Sequence, residues 1–318
     1  MNQFRINVQL GKRAVMKDVK GKVAFITGGA NGIGLGMARV FAKAGMKVAI
    51  ADIRQDDLDK AMAMFGKEKL PVHAIQLDVT DRTAMARAAD EVEHVFGKVH
   101  VLCNNAGINS FGPMDEASYD DWDWIMNVNL NGVINGLVTF IPRIKRHGEG
   151  GHIVNTASMA SFVSGPGAGI YTGTKFAVRG LSECLWYHLA PQNIGVSVLC
   201  PGLVNSHIYA SEEIRPKTLG EHGYPVNTEF MKVLEQVHQL GMDPIEVGEK
   251  VLRAIRRTDL YILTHPDHRE ELKQIFAEIM AAVPNEEPEP RRMAFEDGRR
   301  KSAAEAKAKG RAVLLGNS

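Results

Sequence analysis

The sequence is poor in cysteine and in aromatic residues, and it has no excess of charge of either sign. Three cysteines, Cys103, Cys184 and Cys200, are spread through 318 residues. They lie far apart in apolar runs, which points to reduced core residues rather than disulfides, and no pair has metal-ligand spacing, so no metal is expected. Aromatic residues make up 7% of the chain, and 38 basic residues face 37 acidic ones for a net charge of +1. That balance excludes a strongly basic nucleic-acid binder or a protein held on an anionic membrane surface. No apolar run approaches the length of a membrane span, and the N-terminus has no apolar signal region. The expectation is a cytoplasmic enzyme acting on a small molecule. Apolar content of 45% with 24% charge lies in the ordinary globular range.

The most informative stretch runs from Val23 to Gly36. A short apolar run of β-formers, Val23–Thr27, leads into Gly28-Gly29-Ala30-Asn31-Gly32-Ile33-Gly34, and a helical pattern follows through Met37, Val40 and Phe41. This is strand, tight turn, helix. Glycines let the backbone bend sharply and let a pyrophosphate approach the main chain, while the helix start offers free N–H groups and a positive dipole end. A glycine turn alone could be a bend with no ligand. Here Asp52 stands 24 residues after Gly28 at the end of the next apolar run, where a dinucleotide's ribose would meet a carboxylate.

The same alternation continues along the chain. Strands are expected at Val23–Thr27, Val48–Asp52, Val72–Asp78, Val99–Asn104, His152–Ser158, Val196–Cys200 and Tyr261–Thr264, with helices over Asp56–Phe65, up to Phe96 after an N-cap at Thr80 or Asp81, over Asp120–Arg146, and over Tyr171–Leu189. Continuous apolar strands separated by helices mean a parallel sheet buried on both faces. Right-handed crossovers then make it α/β and doubly wound, of about seven strands, with the ligand crevice at the carboxyl ends. Residues 1–19 have no clear period and read as a frayed or loosely docked extension; Met16 stands as an alternative start. Residues 20–283 form the catalytic domain. Within it, 203–240 breaks the rhythm but holds Ile208, Tyr209, Tyr224, Phe230 and Met231, as a substrate lid would. The tail, 284–318, reads as a linker and a solvated helix, or as an arm onto a neighbouring subunit.

Two further features carry chemistry. Tyr171 and Lys175 are four apart and share a helix face. A free phenol, with a pKa of about 10, is a poor base near neutrality; a nearby ammonium favours phenolate and so makes a usable acid/base. Ser158 ends the fifth strand, placed so that its hydroxyl can hold a substrate oxygen in line. Read singly, the pair fits an amphipathic helix and the serine fits a cap.

Taken together, Thr27-Gly28-x-x-x-Gly32-x-Gly34, Asn104-Asn105-Ala106-Gly107, Asn129, Ser158, Tyr171-x-x-x-Lys175 and Pro201-Gly202 resemble the short-chain dehydrogenase/reductase family in order and spacing, over about Lys20 to Pro266. The resemblance implies a single Rossmann-type domain, a nicotinamide cofactor and hydride transfer with an alcohol or carbonyl carbon. It makes Tyr171 the acid/base. Lys175 lowers the tyrosine's pKa and binds the nicotinamide ribose. Ser158 orients the substrate oxygen, and Asn129 bends its helix and holds a proton-relaying water. It places Gly28, Asn31, Gly32, Ile33 and Gly34 at the pyrophosphate, Asp52 and Ile53 at the ribose, and Asp78 and Val79 at the adenine. Asn105, Ala106, Gly107 and Val128 then line the adenosine channel, and Pro201, Gly202, Val204 and Ser206 hold the nicotinamide. Substrate would meet Asn109, Phe111, Met159, Leu203, Ile208 and Tyr209 beside Ser158 and Tyr171. The serine motif reads Ala157-Ser158, where the family often has two serines, and Ser206 stands for the usual threonine.

Cofactor choice is argued from charge. Asp52 would accept from a ribose 2′-hydroxyl and repel a 2′-phosphate, and position 31 is not basic. Arg54 is the one residue that could reach a phosphate, and NAD is favoured over NADP. More narrowly, Asn109-Ser110-Phe111-Gly112-Pro113, Tyr119–Trp124, Asn127–Gly132 and the extended C-terminus resemble the Cα-dehydrogenases of lignin-derived β-aryl ethers. That implies NAD-dependent oxidation of a benzylic secondary alcohol to a ketone. Two alternatives stay open: an NADPH-dependent carbonyl or steroid reductase, and an NAD-sensing scaffold without turnover. The apolar outer faces of the 120–146 and 171–189 helices predict a homodimer or homotetramer.

Overall fold

The computed structural model describes residues 16–316. Seven parallel strands form one sheet in the order β3-β2-β1-β4-β5-β6-β7: β1 (Val23–Thr27), β2 (Lys47–Asp52), β3 (Val72–Gln76), β4 (Val101–Asn104), β5 (Gly151–Thr156), β6 (Ile194–Cys200) and β7 (Tyr261–Leu263). The order reverses beside β1, between β2 on one side and β4 on the other, so the loops leaving β1 and β4 splay apart and open a crevice there. Every residue of β1, β4, β5 and β6 is buried. Strands covered on both faces need uninterrupted apolar runs, and this is why the sequence marks them so clearly.

Helices α1 (Gly32–Lys43), α2 (Gln55–Glu68), α3 (Arg82–Phe96), α4 (Tyr119–Met126), α5 (Gly132–His147), α6 (Gly169–Leu189) and α8 (Pro244–Arg257) follow the strands or cover the sheet. Asp81 caps α3, accepting from Thr83 and Ala84 N–H. Phe25 of β1 stacks on Phe140 of α5 at 4.5 Å, both fully buried, each side chain stabilising by about 1.5–3 kcal/mol.

Several boundaries differ from the sequence expectation, each for a local reason. β3 stops at Gln76 because the Asp78 carboxylate turns back to accept from Thr80 N–H and Oγ. β4 starts only at Val101. β5 ends at Thr156, since Ser158 caps a short 3-10 turn at Met159–Ser161. The expected single helix 120–146 is α4 and α5 joined through a wide π turn at Asn127–Asn131. The whole run Tyr119–His147 has the length and apolarity of a membrane span, although its polar residues break the apolar runs; Val133, Phe140 and Ile144 face the core and Asn129 and Asn135 are buried with them. Cys103 and Cys200 are buried, but Cys184 lies exposed on the outer face of α6, contrary to the expectation for it.

Beyond β6 the segment 203–240 holds a 3-10 stretch, Ile208–Ile214, and α7 (Thr228–Gln239), which buries none of its residues. After β7 come α9 (Arg269–Ala281) and α10 (Pro290–Leu314). Most of α10 is exposed, and its last turn docks back on its own chain: Gly310 and Leu314 are buried, with Gly310 against Trp186 and Ala190. The expected frayed extension lies largely outside the described residues; Met16 and Val19 are buried in the core.

Candidate active site

The crevice at the carboxyl ends of the strands is a cavity of about 670 Å³. At its floor β1 turns through Gly28 at φ +61° and enters α1 at Gly32, its first residue, at φ +47°, backbone conformations that glycine adopts without strain. Gly34 does not line the cavity. It lets α1 approach the strand, since a Cβ there would fall 1.9 Å from the Gly28 carbonyl oxygen. Thr27 ties this turn to the loop after β4: Asn105 and Ala106 N–H donate to its Oγ1 at 2.9 and 3.1 Å. Asn105 Nδ2 donates to the Thr27 and Gly28 carbonyls. Asn31, Ile33, Asn105, Ala106, Gly107 and Val128 all line the cavity.

At one end Asp52 and Ile53 meet Asp78 and Val79. Asp52 accepts from Ala30 and Arg54 N–H, both at 3.2 Å. Burial raises its carboxyl above the ordinary range against these two bonds, and the neighbouring Asp57 adds to the rise. The Arg54 guanidinium is engaged by Asp56, Asp57 and Glu213, so the cation that could have met a 2′-phosphate already faces three carboxylates.

At the other end stand Tyr171, Lys175, Pro201 and Ser206. Lys175 is buried, and its Nζ donates to the Thr156 carbonyl at 3.1 Å. Burial without a carboxylate partner brings its pKa down to about 8. Tyr171 differs from the expectation of a lowered phenol. Burial pushes it up, a hydrogen bond from Ser158 pulls it down, and the net direction is upward. The ammonium is 5.3 Å from the ring centroid. The Ser158 Oγ accepts from Ala160 N–H, which leaves its own proton for the phenol oxygen. Asn129 is fully buried in the π turn. Its amide is used on both sides by Ile108, accepting from N–H at 2.8 Å and donating to C=O at 2.9 Å, so the side chain braces the loop after β4.

The expected substrate residues divide. Ile208 and Tyr209 line the cavity, whereas Asn109, Phe111, Met159 and Leu203 do not. Asn109 N–H donates to Ser211 Oγ, Phe111 meets Phe230 edge to face at 5.9 Å, Met159 N–H donates to the Pro201 carbonyl, and Leu203 is partly exposed. Gly202 and Val204 also sit behind the cavity wall, Gly202 bonded to His265 and Val204 bridged to Met242.

Sequence reasoning missed the residues that bind segment 203–224 to the body. His207 meets Asn31 at 2.8 Å. Asp121, fully buried at the start of α4, accepts from Ser118 N–H and Oγ and from Gly223 N–H, with His222 Nδ1 at 2.6 Å and the Arg215 guanidinium at 3.1 Å. Glu212 joins His222 to Ser110, and Ser110 meets the Tyr224 hydroxyl at 2.6 Å. Ser118 and Asp121 close a reciprocal capping box at the start of α4. Another cluster, His100, His147 and Glu149, has metal-type side chains. Its lone pairs are committed, however: both imidazoles accept main-chain N–H bonds, and Lys22 and Lys98 hold Glu149.

The glycine cradle, the Asp52 carboxylate at one end of the cavity and the buried Lys175 ammonium at the other fit a dinucleotide. The chain's likeness to known proteins agrees. A family model for short chain dehydrogenase matches residues 22–216. A C alpha-dehydrogenase from Sphingobium sp. (strain NBRC 103272 / SYK-6) is 44% identical over 276 residues, 86% of this chain and 90% of that one. A short-chain dehydrogenase structure from Novosphingobium aromaticivorans is 46% identical at a TM-score of 0.80, covering 93% of this chain and all of the other. One from Burkholderia phymatum in complex with NAD is 33% identical, also at 0.80, covering 86% and 99%. The chain belongs to the short-chain dehydrogenase family, as an oxidoreductase acting on CH–OH groups.

Proposed function

We propose that this chain is an NAD-dependent dehydrogenase of a bulky, aromatic secondary alcohol, with a benzylic alcohol of a lignin-type aryl ether as the substrate class. The observation that carries the cofactor choice is at the Asp52 end of the cavity, where Arg54 also lines the wall but its guanidinium is already paired with Asp56, Asp57 and Glu213. The likeness to the C alpha-dehydrogenase, together with the Asn109–Pro113 and Tyr119–Trp124 stretches, supports the substrate class. When bound, the cofactor would supply the hydride acceptor in its oxidised form, NAD+, and the hydride donor in its reduced form, NADH, at the alcohol carbon. The chain's own part is to hold and move the proton. Ser158 and Tyr171 meet the substrate oxygen, and Tyr171 takes its proton in oxidation or gives one in reduction. Lys175 holds the ribose hydroxyls and favours the phenolate. Gly28, Asn31, Gly32 and Ile33 hold the pyrophosphate, and residues 203–240 close over the bound pair as a lid.

The test is an assay of NAD and NADP reduction over benzylic, steroid and aliphatic secondary alcohols. Benzylic alcohols with NAD are expected to give the highest kcat/KM, at least tenfold above NADP. Equal or better turnover with NADP, or a preference for steroids, would favour the reductase alternative instead.

The assembly follows from exposed apolar side chains. Trp122 on α4, Ile134 and Val138 on α5, and Phe176 on α6 are all open to solvent in one chain. Pairing across a two-fold axis would cover them, as a homodimer or homotetramer. Light scattering at micromolar concentration is expected to give at least twice the 34.9 kDa chain mass; a monomer would count against it.

A further inference from the structure

We infer that His265 is a positioning residue for the reaction, setting the tilt of the 201–203 loop on which the reacting end of the cavity rests. The inference rests on the proposed dehydrogenase reading, and on the resemblance that puts the nicotinamide at Pro201, Gly202, Val204 and Ser206.

The loop leaves β6 and must turn at once, which frees its main-chain groups from the sheet. Three of them are caught. The Pro201 carbonyl accepts from Met159 N–H at 2.8 Å. The Gly202 N–H donates to His265 Nδ1 at 3.0 Å. The Leu203 carbonyl lies 2.8 Å from His265 Nε2 and also accepts from Met242 N–H at 3.0 Å. One imidazole, two residues beyond β7, therefore spans two peptide groups, with one peptide between them, of a loop that follows the neighbouring strand.

Both bonds hold together only if the ring donates through Nε2 and accepts through Nδ1, which names a single tautomer. Thr264 Oγ1 sits 2.7 Å from the same Nδ1. Space allows nothing looser: a Cβ on Gly202 would come 2.8 Å from His268 Nε2 and 3.0 Å from His265 Cγ. The two bonds are not equivalent. The Leu203 carbonyl has Met242 in reserve, whereas the Gly202 N–H has the histidine as its acceptor. The accepting nitrogen is therefore the part of the ring that fixes the loop. Pro201, the residue next to that bond, lines the cavity with Tyr171 and Lys175. Small errors in the placement of reacting groups are costly in rate, so the effect belongs in kcat more than in binding.

Three variants separate the bonds. His265→Asn keeps an acceptor at the place of Nδ1, His265→Gln keeps a donor at the place of Nε2, and His265→Phe keeps the ring with neither. Alcohol oxidation, NAD affinity by isothermal titration and thermal melting are measured on the full chain. His265→Phe is expected to lower kcat at least tenfold with the dissociation constant for NAD within threefold of native. His265→Asn should recover most of the loss and His265→Gln little of it. The inference is overturned if His265→Phe keeps more than half of the native kcat, or if all three variants lose activity equally and only in step with their melting temperature. A native chain that reduces no NAD with any alcohol tested overturns the functional reading and this inference with it. A native chain that is active while His265→Phe stays fast overturns this inference alone.

Discussion

Replacing Tyr171 with phenylalanine is expected to cut turnover by ~10²–10⁴-fold, the usual worth of a general acid–base group, while NAD still binds. The variant keeps the ring and its packing and removes the one oxygen that can take the alcohol proton. Lys175→Met should also lose activity, and it should weaken NAD as well, because the same buried ammonium lines the cavity beside Tyr171 and is the group proposed to hold the nicotinamide ribose. Ser158→Ala should slow turnover with little change in NAD affinity, since the serine bonds the phenol rather than lining the cofactor crevice. The pH dependence has a definite sign. Burial holds the Tyr171 phenol above its ordinary value, so the protonated form dominates at neutral pH. Oxidation needs the phenolate and should climb with pH; reduction needs the phenol and should fall as pH rises. Initial rates in both directions across pH, with NAD titrations of all three variants, test the set. A Tyr171→Phe protein that retains most of the native rate would move the base elsewhere in the crevice.

The parts of this fold that were legible in the sequence are those whose pattern is local. Val23–Thr27 is a run of five buried residues, and a strand covered on both faces leaves an apolar run that no other local structure explains as well. Tyr171 and Lys175 are one helical turn apart, so their juxtaposition follows from the helix alone. The 203–240 segment was readable only as an interruption, because what holds it lies about a hundred residues away: Ser211 with Asn109, His222 with Asp121, Glu212 with Ser110. No periodicity announces a partner at that separation. His265 was silent for the same reason, as its role depends on β6 and β7 lying side by side. The direction of the Tyr171 shift was misjudged because spacing gives proximity to an ammonium but not burial, and burial has the larger effect here.

Those distant contacts also say where the region over the cavity is firm. Residues 208–224 are joined to α4 and to the loop after β4 through buried charge, whereas α7 buries nothing. Asp121 is the hub, with no exposed surface and its two oxygens met by Ser118, Gly223, His222 and Arg215. Replacing it with alanine leaves the largely buried Arg215 and His222 facing a void and frees the start of α4. Removing one partner of a buried ion pair costs about 3–5 kcal/mol, and loss of the helix cap adds about 1 kcal/mol. Asp121→Ala is therefore expected to lower the unfolding free energy by at least 3 kcal/mol. Asp121→Asn, which keeps an acceptor for Ser118 and Gly223, should lose less. Acid provides an independent check. Burial pushes the Asp121 carboxyl up, but the bonds from Gly223, Ser118 and His222 together bring it down to about 2. A carboxylate whose pKa is depressed on folding stabilises above its unfolded value, and that stability is lost as pH falls through the folded one. The contribution, on the order of 2 kcal/mol, should be complete above pH ~4 and fade toward pH 2 in native protein. In Asp121→Asn that step should be missing from the stability curve. Denaturant midpoints at pH 7, 4 and 3 for the three proteins measure both effects. An alanine variant within 1 kcal/mol of native at pH 7 would mean that residues 208–224 are held by something other than this carboxylate.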